Sequence, residues 1–126
     1  MPKQVPTLSG APAPMAPYSV VTEAYGFVFV SGQVALDPSG GDTPTDVGGQ
    51  TQLIMKNIGK VLADVGLDYP DIVKTTIFLA DIADYGTVNE IYGGYFPSEP
   101  PARSAVQVAA LPRADFLVEI ELIACR

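Results

Sequence analysis

The sequence predicts an α+β fold, with elements in the order β-β-α-β-α-β-β and two helices packed on one face of a mixed sheet. Three observations lead there. Five segments are rich in β-branched and aromatic residues or alternate apolar with polar ones, two carry apolar residues at the helical period, and proline, glycine or aspartate marks the joins. Two helices cannot cover both faces of such a sheet, so the other face is left to partner subunits. At 126 residues the chain fits a single domain over residues 1–126, with residues 1–16 as an N-terminal arm.

After that proline-rich arm, residues 18–21 read as a short strand that turns at Ala24-Tyr25-Gly26 into Phe27-Val28-Phe29-Val30-Ser31-Gly32-Gln33. Residues 37–44, with two prolines and two glycines, form a loop. Thr45 or Asp46 caps a helix whose stripe is Ile54, Ile58, Val61, Leu62 and Val65, and Gly66 closes it. Residues 71–79 are the clearest strand. Asp81 or Asp84 opens a second helix carrying Tyr85, Val88, Ile91, Tyr92, Tyr95 and Phe96. Gly93 and Gly94 each weaken that helix by about 1 kcal/mol relative to alanine, which favours an early end near them, and Pro97, Pro100 and Pro101 stop it.

The last two strands, residues 101–108 and 116–123, flank the turn Leu111-Pro112-Arg113-Ala114-Asp115, and the spacing predicts an antiparallel hairpin. With Ser104, Val106 and Val108 facing the core in the first, and Val118, Ile120 and Leu122 in the second, Arg103 meets Glu119 or Glu121 on the opposite face. That face also carries Ala105, Ala109, Leu117 and Ile123, an apolar surface that calls for a cover. Two readings stay open at this point: a structural ion pair on a sheet edge, or a subunit interface enclosing a pocket in which a guanidinium holds an anion and a carboxylate handles water or a proton.

Composition narrows the chemistry. Apolar residues make up 48% and charged residues 17%, a surface thin in charge for a small monomer, and oligomerisation explains it simply. The net charge is −7, with seven Lys plus Arg and no basic run, so a nucleic-acid backbone is repelled. There is no histidine and one cysteine, Cys125, which excludes Ser-His-Asp triads, Cys-His dyads, the usual zinc sites and an internal disulfide. Catalysis must run on Arg, Glu, Asp, Tyr, Ser and backbone groups. The first 17 residues hold no continuous apolar stretch, so neither a signal peptide nor a membrane span is expected, and a cytosolic protein is the default.

Taken together, Pro17-Tyr18-Ser19, Val30-Ser31-Gly32-Gln33, Val73-Lys74-Thr75-Thr76, Val88-Asn89-Glu90-Ile91-Tyr92, Pro101-Ala102-Arg103-Ser104 and Val118-Glu119-Ile120-Glu121 resemble the RidA (YjgF) family of reactive-intermediate deaminases, in order and over residues 17–124. The resemblance implies a chorismate-mutase-like fold, a homotrimer whose sheets line a central barrel, and sites between subunits. It implies hydrolysis of small 2-imino acids and their enamine tautomers, such as 2-aminoacrylate, to 2-oxo acids and ammonia, without metal or cofactor. It assigns Arg103 to the substrate carboxylate and Glu119 to the attacking water, lines the pocket with Tyr18 and Ser31, and sets Asn89 near it.

The residue chemistry agrees on the central pair, because a planar carboxylate suits a bidentate guanidinium and one carboxyl group can serve water and the leaving nitrogen in turn. Taken singly, Tyr18 equally suits packing of the arm, Ser31 a strand-end turn, and Asn89 a solvated helix position. Glu121 shares a face with Glu119 and rivals it; the motif favours Glu119. Ala105 departs from the family, where many members carry cysteine, so thiol-dependent regulation is not expected. Competing readings are a non-catalytic, carboxylate-binding regulatory or chaperone-like trimer, and an RNA-directed activity that the acidic balance opposes.

Overall fold

The computed structural model describes residues 2–126 and contains the seven elements in the expected order: β1 (Val21–Ala24), β2 (Phe27–Gln33), α1 (Val47–Asp64), β3 (Ile72–Leu79), α2 (Tyr85–Gly93), β4 (Ala102–Gln107) and β5 (Val118–Cys125). Asp46 starts α1 by accepting a 2.8 Å hydrogen bond from the Gly49 N–H, which satisfies one of the donors a helix start leaves unpaired. Gly66, at φ +78°, follows the helix end, a conformation that costs glycine nothing. Ile54, Ile58, Val61 and Leu62 are fully buried and lie against Val28, Val30, Ile77, Leu79, Val118, Ile120 and Leu122 of the sheet.

Tyr25 and Gly26, at φ 54° and 82°, form the two-residue turn between β1 and β2. The first strand starts at Val21, three residues later than the expected 18, because the chain before it serves another purpose: Ser31 N–H donates to Val20 O at 2.9 Å and its hydroxyl donates to Ser19 O at 2.7 Å. Helix α2 ends at Gly93, as its glycines favour, so Tyr95 and Phe96 lie beyond it. There they pack on other rings, Phe96 with Tyr92 at 4.8 Å between centroids and Tyr95 with Tyr69 at 5.0 Å. Asp81 caps a single 3₁₀ turn at Ile82–Asp84, and Asp84 makes no side-chain cap.

The sheet order β1-β2-β5-β3-β4 corrects the expected hairpin. Strands β4 and β5 are not neighbours. Strand β4 pairs in parallel with β3, a geometry that needs a crossover, which α2 supplies, while β5 sits antiparallel between β2 and β3. The register also reverses the face expected for β4. Thr75 and Ile77 of β3 are buried under the helices, and their partners on β4 are Arg103 and Ala105, so those two point to the helix side while Ser104 and Val106 point to the open side. For β5 the expectation holds: Val118, Ile120 and Leu122 are buried, and Glu119 and Glu121 face the other way. The open face is apolar as anticipated, but through Phe29 and Val106, 42% and 44% exposed, rather than through Ala105.

Ile58 is fully buried in the center of the α1 stripe, so Ile58→Ala is expected to cost about 2–5 kcal/mol. Urea unfolding should show this as a lower midpoint with an unchanged slope.

Candidate active site

Between Val30 and Gln33 strand β2 spends three steps while its partner β5 spends two, from Leu122 to Ile120. The extra residue is a β-bulge at Ser31-Gly32, which re-aims the strand beside Glu119. The Gly32 backbone lies so close to the Glu119 carboxylate that a Cβ there would overlap it, so only glycine permits this approach. Ser31 is fixed by its two bonds to residues 19 and 20, and its carbonyl accepts from Gln33 Nε2 at 3.1 Å.

Glu119, Ser31, Gly32 and Tyr18 line one cleft of about 450 Å³, with Met15, Ala16, Val34, Pro112 and Arg113 completing its wall. Glu119 is half-buried, and removal from water, helped by the like charge of Glu121, holds its carboxyl above the usual carboxylate range. A half-buried carboxylate with raised proton affinity in an apolar-walled cleft is suited to general-base work on water.

Arg103 and Asn89 lie elsewhere. Arg103 is on the helix side of the sheet, its guanidinium carbon 5.5 Å from the Tyr85 ring centroid and 5.1 Å from that of Tyr92, and its Nη2 donates to the Tyr85 hydroxyl at 3.1 Å. Tyr92 is held in turn by a 2.7 Å hydrogen bond with Thr75, the residue paired with Arg103 across β3 and β4. Tyr85, Asn89 and Tyr92 follow the four- and three-residue spacing that places them on one side of α2. Among the described residues the ion pairs are Arg113–Asp115 and Arg126–Glu23; Arg103 makes none. The expected Arg103–Glu119 pair is therefore absent within one chain. The structure brings Tyr18, Ser31 and Glu119 together and sets Arg103 with Asn89 apart from them, on the other side of the sheet.

Sequence reasoning missed six residues of the cleft, Met15, Ala16, Gly32, Val34, Pro112 and Arg113. Gly32 carried a usable signal, since a glycine inside a strand pattern marks a bulge or a close approach. Arg113 carried none, being one residue of an evident turn. It is held by Asp115 at 2.6 and 2.9 Å and lies 4.3 Å over the Phe116 ring.

Comparison with known proteins now decides the family. The family model described as Endoribonuclease L-PSP matches residues 8–126. Over 123 residues the chain is 47% identical to the 2-iminobutanoate/2-iminopropanoate deaminase of Mus musculus, covering 97% of this chain and 90% of that protein. It is 49% identical, again over 97% of this chain and over 65% of the longer relative, to Reactive Intermediate Deaminase A, chloroplastic, of Arabidopsis thaliana. The chain belongs to the RidA family. Among solved structures, Escherichia coli TdcF with bound serine superposes with a TM-score of 0.90 at 37% identity over 98% of each chain. The RidA protein of an Antarctic Psychrobacter superposes with a TM-score of 0.92 at 32% identity, over 98% of this chain and 99% of that one. The expected chorismate-mutase-like RidA fold therefore holds.

The raised proton affinity of Glu119 gives a pH prediction. Glu121→Gln removes the neighbouring negative charge, so the Glu119 carboxyl should ionise at lower pH. If the ionised form is the base, the acid limb of the kcat/KM profile for imine hydrolysis should move to lower pH in this variant.

Proposed function

We propose that this RidA-family chain hydrolyses 2-iminobutanoate, 2-iminopropanoate and their enamine tautomers to 2-oxo acids and ammonia, without a cofactor, in the cytosol. The observation that carries the reading is Arg103: a guanidinium fixed between two rings yet paired with no carboxylate, and so ready for an anion. Identity of 42–49% to proteins named as these deaminases, over nearly the whole chain, supports it. Escherichia coli TdcF, similar in fold at 37% identity, was crystallised with bound serine, an amino acid close in size to the proposed substrates.

The reaction needs both halves described above. Arg103 grips the carboxylate and orients the planar C=N group, and Asn89 lies beside that grip. Glu119 takes a proton from water as the oxygen bonds to the carbon of the protonated imine and the C=N π electrons move to nitrogen, giving a neutral tetrahedral amino alcohol. The protonated Glu119 then gives its proton to nitrogen; the C–N bond breaks as the hydroxyl gives its proton back to the Glu119 carboxylate and becomes the carbonyl, so that ammonia leaves and the 2-oxo acid remains. Tyr18 and Ser31 shape the cleft around this step. Enamine substrates first accept a proton at the terminal carbon to reach the protonated imine.

Since Arg103 and Glu119 lie on opposite sides of one sheet, the complete site is assembled from two copies in a homotrimer. The open face supports this, because no helix covers Phe29, Val106 and Ile123. Light scattering on the purified protein should give three times the chain mass, and a monomer at micromolar concentration would remove the shared site.

With 2-aminoacrylate generated in situ from serine by a dehydratase, the protein should accelerate the appearance of pyruvate. Arg103→Ala should abolish that acceleration with the trimer intact, and Arg103→Lys should restore little, because an ammonium cannot copy the two-pronged contact. Glu119→Gln should lower kcat by on the order of 10²-fold or more while carboxylate affinity persists, since a different residue supplies it. Equal losses in Glu119→Gln and Glu121→Gln would reject Glu119 as the base.

A further inference from the structure

We propose that the carboxylate anchor has a second member, the Tyr85 hydroxyl, which donates a hydrogen bond to the same substrate carboxylate that Arg103 holds. The inference rests on the reading of Arg103 above and extends it to a residue with no role so far. Tyr85 accepts from Arg103 Nη2 at 3.1 Å, so its oxygen is occupied by the guanidinium while its own proton has no acceptor among the described residues. A phenol used in this way is a better donor than a free one, because accepting from a cation polarises its O–H bond.

The ring is also in the right place. Tyr85 is 43% exposed, whereas Tyr92, the other ring against the guanidinium, is buried and shares its hydroxyl with Thr75. Only one of the two phenols can therefore reach a ligand. An anion gripped by Arg103 on its solvent side lies next to the Tyr85 oxygen, since that oxygen is already within hydrogen-bond distance of Nη2. The ring itself, at 5.5 Å, fixes the guanidinium by a cation–π contact that does not need the hydroxyl. Removing the hydroxyl alone thus separates donation to the substrate from support of Arg103.

Tyr85→Phe is the test, with calorimetric titration of 2-oxobutanoate into the native protein, Tyr85→Phe and Arg103→Ala, alongside steady-state hydrolysis of in situ 2-aminoacrylate. Tyr85→Phe should weaken 2-oxobutanoate binding and raise KM by about five- to twentyfold, with kcat within about twofold, because a carboxylate contact is made equally in ground and transition states. Methyl 2-oxobutanoate, which lacks the anion, should bind native protein and Tyr85→Phe alike. Native-like affinity and KM in Tyr85→Phe, with binding lost in Arg103→Ala, would overturn the Tyr85 proposal and leave the Arg103 anchor standing. Unchanged binding in Arg103→Ala would overturn both, and an equal loss of methyl ester binding in Tyr85→Phe would reassign the residue to packing.

Discussion

Side chains on a strand alternate between faces, and in this sheet that alternation sends the free guanidinium one way and the basic carboxylate the other. Arg103 shares a rung with Thr75 and Leu122 under the helices, while Glu119 shares a rung with Phe78 and Val106 on the open face. No rotamer carries either group through the sheet. In the proposed reaction both groups act on one substrate, which requires a second copy to bring one edge of its sheet to the open face of the first. The proposed pairing would account both for a chain with only 17% charged residues and for the exposed Phe29 and Val106 on the open face.

The three arginines of the chain are held in different ways. Arg113 and Arg126 are each forked onto a carboxylate, Asp115 and Glu23, and those contacts hold the acids below the usual range. Arg103 has no carboxylate partner among the described residues and is held only against aromatic side chains, each such ring contact being worth about 0.5–1 kcal/mol at an exposed site. Rings fix the orientation of a guanidinium without consuming its charge. A carboxylate partner would have fixed it equally well but neutralised it, so the use of Tyr85 and Tyr92 leaves its charge available for the proposed substrate.

Much of this was legible in the sequence, and the exceptions have physical causes. The stripe of α1, the cap at Asp46, the turn at Tyr25-Gly26 and the buried row of β5 were readable because each has a strong local signature; Val118, Ile120 and Leu122 admit only one inward face. Strand β4 has no such contrast. Its rows are Arg103-Ala105-Gln107 and Ser104-Val106, the second continued past the strand by Val108, and hydrophobicity alone favours burying the valines. What reverses it is tertiary: Tyr85 and Tyr92 receive the Arg103 guanidinium against their rings, so a row containing a charge becomes the inner one. Alternation also names faces and never neighbours, which is why β3 could insert between β4 and β5 unseen. The grouping of Tyr18, Ser31 and Glu119 followed the family motifs, whereas the bulge that aims them required the register.

The overall charge of −7 opposes nucleic acid yet is no obstacle to the small anions proposed as substrates. Binding a phosphate backbone requires many cations acting in concert, and two of the arginines are already neutralised by their partners. The endoribonuclease wording of the family model thus has no electrostatic footing in this chain. A monocarboxylate needs one cation within contact distance, and at physiological salt the more distant negative charges are screened beyond about 8 Å. Local geometry then outweighs net charge. In the proposed reaction a free imine is already prone to hydrolysis, so general-base help of about 10²- to 10⁴-fold added to orientation calls on no thiol at the position occupied by Ala105.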